Sequence, residues 1–138
     1  MEWLIQFLKG EGKMRKKKKN DNIIGGVTIE EENKFVVSLA NELFRMYQNL
    51  LNMDSATRGV NNLKNRVDSM MAILRTKGYE IPPLLGEAYN EGYNMIASME
   101  LDEELQPGTK VIKRVIKPQV NYKGIMLQAA EIIVAYNE

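Results

Sequence analysis

Asn121-Tyr122-Lys123-Gly124-Ile125-Met126-Leu127-Gln128-Ala129-Ala130-Glu131-Ile132-Ile133-Val134 is the stretch on which the fold turns. A turn signal, residues 121–124, stands between two β-branched runs, 111–116 and 125–134, and this is a hairpin signature. The run from Lys110 to Lys117 is ambiguous by periodicity, because its apolar pairs recur every four residues. β-branching and the flanking Pro107-Gly108 and Pro118 decide it for strand. In that strand Lys113 and Arg114 point to opposite faces, and the final run puts Met126, Ala130, Ile132 and Val134 on one face. A further strand is expected within 93–99. Asp102, Glu103 and Glu104 precede a turn signal at Gln106-Pro107-Gly108-Thr109.

Working toward the N-terminus, the period changes from two to about 3.6. Pro82-Pro83 and Gly86 punctuate the chain after Gly78. Before them, Val60, Leu63, Val67, Met70 and Leu74 step by three and four, which predicts a helix over about 56–77 with a seven-residue seam. Arg75 and Lys77 suit its negative end, and Gly78 suits a left-handed exit. An earlier helix begins at Thr28. Thr28 and Glu31 have capping-box spacing, and Glu30, Glu31 and Glu32 suit the positive end of a helix dipole. Val36, Leu39, Ala40, Leu43, Tyr47, Leu50 and Leu51 then recur at helical spacing, with Phe35, Phe44 and Met46 widening the stripe. Residues 52–55 break it, and Asp54 or Ser55 can cap the second helix.

The short break makes the two helices antiparallel neighbours. One hairpin leaves much of both stripes wet, and two hairpins from two chains close a four-helix bundle. The expected fold class is therefore α+β, an antiparallel helical hairpin forming a four-helix bundle in a homodimer, followed by a small β-rich C-terminal head. Val36, Leu39, Leu43, Val60, Leu63, Val67, Met70 and Leu74 are the expected dimerisation residues. The alternative packs both stripes on the C-terminal part of the same chain. Three parts are expected: a basic, flexible arm at 1–27, the hairpin at 28–78, and a small β domain at 79–138.

Composition narrows the function. The 138 residues contain neither Cys nor His, which removes thiolate nucleophiles, disulfides, imidazole bases and the usual zinc ligands. Glu87, Glu91 and Asp102–Glu104 match no cation-binding loop, so no metal, cofactor or catalytic residue is expected. The net charge of +1 hides an asymmetry: the first twenty residues hold seven of the nineteen basic and two of the eighteen acidic side chains. Lys13, Arg15, Lys16, Lys17, Lys18 and Lys19 follow an apolar start with Trp3, Leu4, Phe7 and Leu8. That segment is either a solvated leader or an arm for nucleic acid or an acidic membrane surface. No stretch approaches the roughly 20 apolar residues of a membrane span, and a cytoplasmic protein is expected.

The ordered succession after the helices resembles the GrpE family, nucleotide exchange factors of DnaK-type heat-shock chaperones. It runs through Gly78, Gly86, Tyr89-Asn90-Glu91, Asn94, Asp102–Glu104, Pro107-Gly108-Thr109, Asn121-Tyr122, Gly124, Leu127-Gln128-Ala129-Ala130, and Ile132 with Val134. With the helical hairpin, the resemblance covers about residues 35–136. Asn121 stands where the family has Gly, Gln128 where it has a signature Arg, Ile125 where a charge is common, and Asn94 where it has His. Only 27 residues precede Thr28, too few for the family's long N-terminal helix.

The resemblance implies a head that leans on the nucleotide-binding domain of a DnaK-type chaperone and holds its cleft open, so that ADP leaves. A partner that prefers the open cleft by about 4 kcal/mol lowers nucleotide affinity roughly a thousandfold, with no covalent step. By carry-over, the partner-binding candidates are Pro118, Tyr122, Lys123, Gly124, Ile125, Gln128 and Val134. Lys113, Arg114 and Lys117 add positive charge that would meet an acidic surface. Tyr122 and Val134 read equally well as core, and the lysines as a solvated face. The competing functions are a GrpE-like adaptor without exchange activity, and a nucleic-acid or membrane-surface protein acting through the basic arm.

Overall fold

The structure, a computed structural model, describes residues 23–24 and 26–138. Its elements are β1 (Ile23–Ile24), β2 (Val27–Thr28), α1 (Ile29–Leu51), α2 (Val60–Thr76), β3 (Tyr79–Glu80), β4 (Ile96–Leu101), β5 (Lys110–Lys117), β6 (Val120–Tyr122), β7 (Ile125–Gln128) and β8 (Glu131–Tyr136). The fold is mixed α+β. The chain divides into two units, residues 1–39 and 40–138, with the boundary inside α1. The C-terminal part of α1 and all of α2 fall in the second unit with the sheets.

In the first unit, β1 and β2 pair antiparallel, with Ile24 opposite Val27. Both strands but for Thr28 lie within the arm expected at 1–27. The capping box forms as its spacing predicts: Glu31 N–H donates to Thr28 Oγ1 at 3.0 Å, and Thr28 N–H donates to Glu31 Oε2 at 3.2 Å. These bonds satisfy donors that a helix start leaves orphaned. The basic run 13–19 and its apolar leader lie outside the described residues.

In the second unit, α2 starts later than its periodicity suggests. Asp54 Oδ1 accepts from Ala56 N–H at 2.9 Å, closing a local turn instead of capping the helix. The helix starts after Gly59, whose φ of 87° is left-handed and whose position carries no side-chain cap bond. At the other end Gly78 has φ 96°, the left-handed exit expected there.

The β part is two three-stranded sheets, β3-β6-β7 and β4-β8-β5. The final β-branched run is therefore not one strand. β7 ends at Gln128 in the first sheet, and β8 begins at Glu131 in the second. β8 is the central strand, parallel to β4 and antiparallel to β5. Ala130, Ile132 and Val134 do share a buried face with Ile112 and Val115, while Met126 sits half-buried in the other sheet. Phe44 of α1 packs against this core together with Leu84, Tyr89, Met95 and Ala97. The expected strand in 93–99 is β4, shifted to Ile96–Leu101.

β5 resolves its own ambiguity with bulges. The register slips between Ile112 and Arg114 and again between Val115 and Lys117. Each extra residue reverses the alternation, so Ile112 and Val115, three apart, both point into the core. Lys113 and Arg114 are consequently both exposed, and not divided between faces.

The residues expected at a dimer seam divide. Val36, Leu43, Val60 and Val67 are buried within the single chain, Leu74 is half-buried, and Leu39, Leu63 and Met70 are exposed. Packing on the sheet core within one chain, the alternative in the sequence reading, accounts for Phe44.

Ile132, 1 % exposed at the centre of the core, is the most sensitive test of this packing. Ile132→Ala lowers stability by about 2–5 kcal/mol, seen as a lower urea midpoint at unchanged slope.

Candidate functional site

The candidate site is the β6–β7 hairpin, and its geometry starts at the turn. Tyr122 pairs with Ile125, which leaves a two-residue loop. Lys123 has φ 47° and Gly124 φ 81°. Two successive positive φ angles define a type I′ turn, whose twist matches that of the flanking strands. Gly124 is the residue such a turn favours, whereas Lys123 bears about 1–2 kcal/mol of left-handed strain. Asn121, read as part of the turn signal, is in β6 and pairs with Glu80 and Met126.

The tip is braced from beneath by the exit of α2. Lys123 N–H donates to Gly78 O at 2.8 Å. A Cβ on Gly78 would stand 3.0 Å from Lys123 Cγ, so that side chain would have to shift by a few tenths of an ångström, and the left-handed φ of 96° itself favours glycine. Tyr79, the next residue, pairs with Tyr122 across the β3–β6 ladder, their ring centroids 4.6 Å apart. Lys123 Nζ lies 5.2 Å from the Tyr122 centroid, within cation–π range. The left-handed glycine anticipated from sequence thus has a second task, seating the hairpin.

The carried-over residues separate into three groups. Lys123, Gly124 and Ile125 are exposed at the tip, with Ile125 67 % exposed, and Tyr122 is half-buried beneath them. Gln128 is held inside: it exchanges amide bonds with Asn41 at 3.2 and 2.7 Å, and its Nε2 donates to Pro118 O at 2.7 Å. Val134 is fully buried in the β4-β8-β5 core, out of reach of a partner, and Pro118 is buried as well. Of the added cations, Lys113 is tied to Glu100 at 2.8 Å. That hydrogen bond and the opposite charge hold the Glu100 carboxyl below its usual range and the Lys113 ammonium above. Arg114 is exposed and Lys117 half-buried.

A second feature was not anticipated. An apolar cleft of about 280 Å³ opens between the ends of α1 and α2 and the segment 81–85. Tyr47, Leu51, Met71, Leu74 and Pro82 line it, Pro118 reaches it, and Asp68 and Arg75 are its charged residues. The signal was present in Pro82-Pro83 followed by Leu84-Leu85, an apolar loop that reads from sequence as punctuation alone. Among the described residues no group of three or more Asp or Glu side chains is placed to hold a metal ion, and no helix is long and apolar enough to cross a membrane.

The brace can be tested at two residues. Gly78→Ala destabilises by about 1–2 kcal/mol, from the left-handed φ alone, read as a lower thermal midpoint. Burial, with Tyr122 adding to it, pushes the Tyr79 hydroxyl up from 10.0 to about 12. The folded chain keeps a proton there that the unfolded chain releases, so this contribution is complete below pH 10 and is lost as pH rises through 12. Chemical denaturation across that range shows a fall in stability that Tyr79→Phe reduces. Comparison of the sequence with protein-family models returns no match, and comparison with curated proteins returns none.

Proposed function

We propose that this chain is a GrpE-like co-chaperone, a non-enzymatic docking protein that binds the nucleotide-binding domain of a DnaK-type chaperone through the β6–β7 tip and promotes ADP release. The observation that carries the reading is the tip itself, with Ile125 67 % exposed on a two-residue turn. A large apolar side chain held out on a rigid turn loses little entropy on binding, and such preorganisation is what an anchor residue needs. Lys123 beside it supplies a cation at the rim. The ordered succession from Gly78 to Val134 supports the choice of partner. The chemistry required is a population shift: tighter binding to the open cleft lowers affinity for nucleotide by the same factor.

The tip narrows the contact set that the resemblance implies to Tyr122, Lys123, Gly124 and Ile125. Gln128 cannot act as the family's Arg does while its amide is bonded to Asn41 and Pro118 O.

The test is release of a fluorescent ADP from a DnaK-type chaperone, with and without this protein. Release is expected to accelerate, and Ile125→Asp combined with Lys123→Glu is expected to weaken binding at least tenfold, about 1.4 kcal/mol, with an unchanged circular dichroism spectrum. Unaltered affinity in that variant rules out the tip. Binding without faster release identifies an adaptor.

A further inference from the structure

The two edges of the β4-β8-β5 sheet are built differently. Along the outer side of β5, Gly86 N–H donates to Ile112 O at 2.8 Å, Ile112 N–H to Glu87 O at 2.9 Å, and Tyr89 N–H to Lys110 O at 3.0 Å. That edge is covered by chain, and its bulges add twist. β4 has neither protection. Ile96-Ala97-Ser98-Met99-Glu100-Leu101 pairs with β8 in unbroken register, contains no Pro and no Lys, and meets no strand on its outer side among the described residues. Ile96 N–H donates to Ala130 O and Asp102 N–H to Tyr136 O, both at 2.8 Å. Alternation along the strand then turns the backbone groups of Ala97, Met99 and Leu101 outward. Ile96, Met99 and Leu101 are 62, 46 and 54 % exposed. Soluble proteins ordinarily blunt such an edge with charge, proline or a bulge.

We propose that this edge is the contact with a second copy of the chain, β4 pairing antiparallel with β4 of the copy about a two-fold axis at Met99. The register is set by the strand's own residues. An axis normal to the sheet keeps each face on its own side, so residues whose groups point outward meet each other. Met99 then faces Met99 of the copy, and Ala97 faces Leu101, with about six backbone hydrogen bonds across the pair. On the other face Ser98 meets Glu100 and Ile96 meets Asp102. The acidic Asp102, Glu103 and Glu104 fall opposite the neutral Ile96, Met95 and Asn94. Neighbouring registers are worse. A shift one way sets Glu100 against Glu100 of the copy. A shift the other way puts Leu101 opposite Met95, whose N–H is already donated to Tyr93 O at 2.9 Å. The result is one continuous sheet through both chains.

Sedimentation velocity on the full chain, from about 1 to 300 µM, reads the outcome. The mass is expected to rise to twice that of the single chain. Met99→Lys places like charges on the axis, and Met99→Pro removes an outward N–H that donates to no backbone group among the described residues; both are expected to return the single-chain mass. Leu63→Lys, on α2, is expected to leave the dimer intact. Hydrogen exchange on the unmodified protein provides a second readout, with the Ala97, Met99 and Leu101 amides slowed at high concentration. A single-chain mass throughout, a dimer that survives both Met99 variants, a dimer dissolved by Leu63→Lys, or rapid exchange of these three amides at high concentration would each overturn the proposal.

Discussion

The central position of β8 is the constraint on which the second unit rests. It is hydrogen-bonded on both sides, to β4 and to β5, so neither outer strand of that sheet has a place without it. Its inner face supplies Ile132 and Val134 to the core, and Phe44 from α1 packs on the same cluster. Burial of each large aliphatic side chain contributes roughly 1.5–3 kcal/mol, and here that energy also fixes where the C-terminal part of α1 lies on the sheet. Polar bonds make the fit specific. Gln48 Nε2 donates to Val115 O at 2.7 Å, and Asn41 and Gln128 exchange amide bonds. The Gln128 contact comes just where the chain leaves one sheet for the other, with Ala130, wholly buried, at the crossing.

That crossing separates two tasks. The sheet behind it is a packed layer, and the hairpin ahead of it is a presented surface. The tip holds a non-glycine residue at positive φ, a local cost that its surroundings must offset. Gly78, Tyr79 and the Lys123 N–H bond to Gly78 O supply that compensation. The hairpin is consequently stiff where an exposed isoleucine needs it to be, and the helix that ends at Gly78 is mechanically continuous with it. The proposed docking function requires shape and a held position.

Misreadings from sequence share one physical origin. Lys113 and Arg114 fall on opposite faces only if strand alternation runs unbroken, and a bulge has no reliable local signature. The run 125–134 reads as one strand because β-branched residues persist through it; the change of sheet depends on what Ala130 meets, not on its neighbours in sequence. Asp54 and Ser55 have the chemistry of helix caps, yet the chain continues through further turns to Gly59 before α2 begins. Analogy with a motif gives Gln128 and Val134 outward roles, and both have internal partners.

The amino-acid sequence on its own determined the features governed by a few adjacent dihedral angles. These are the Thr28–Glu31 capping box, the left-handed exit at Gly78, the glycine of the hairpin turn and the strand character of residues 110–117. Each rests on bonds between residues three or four apart, or on the steric preferences of the residues themselves, so the signal is local. Tertiary structure alone decided that β4 lies parallel to β8, that the last β-branched run is shared between two sheets, and which side chains remain exposed. Those outcomes depend on contacts such as that between Asn41 and Gln128, 87 residues apart, whose energy exists only once the chain has brought them together.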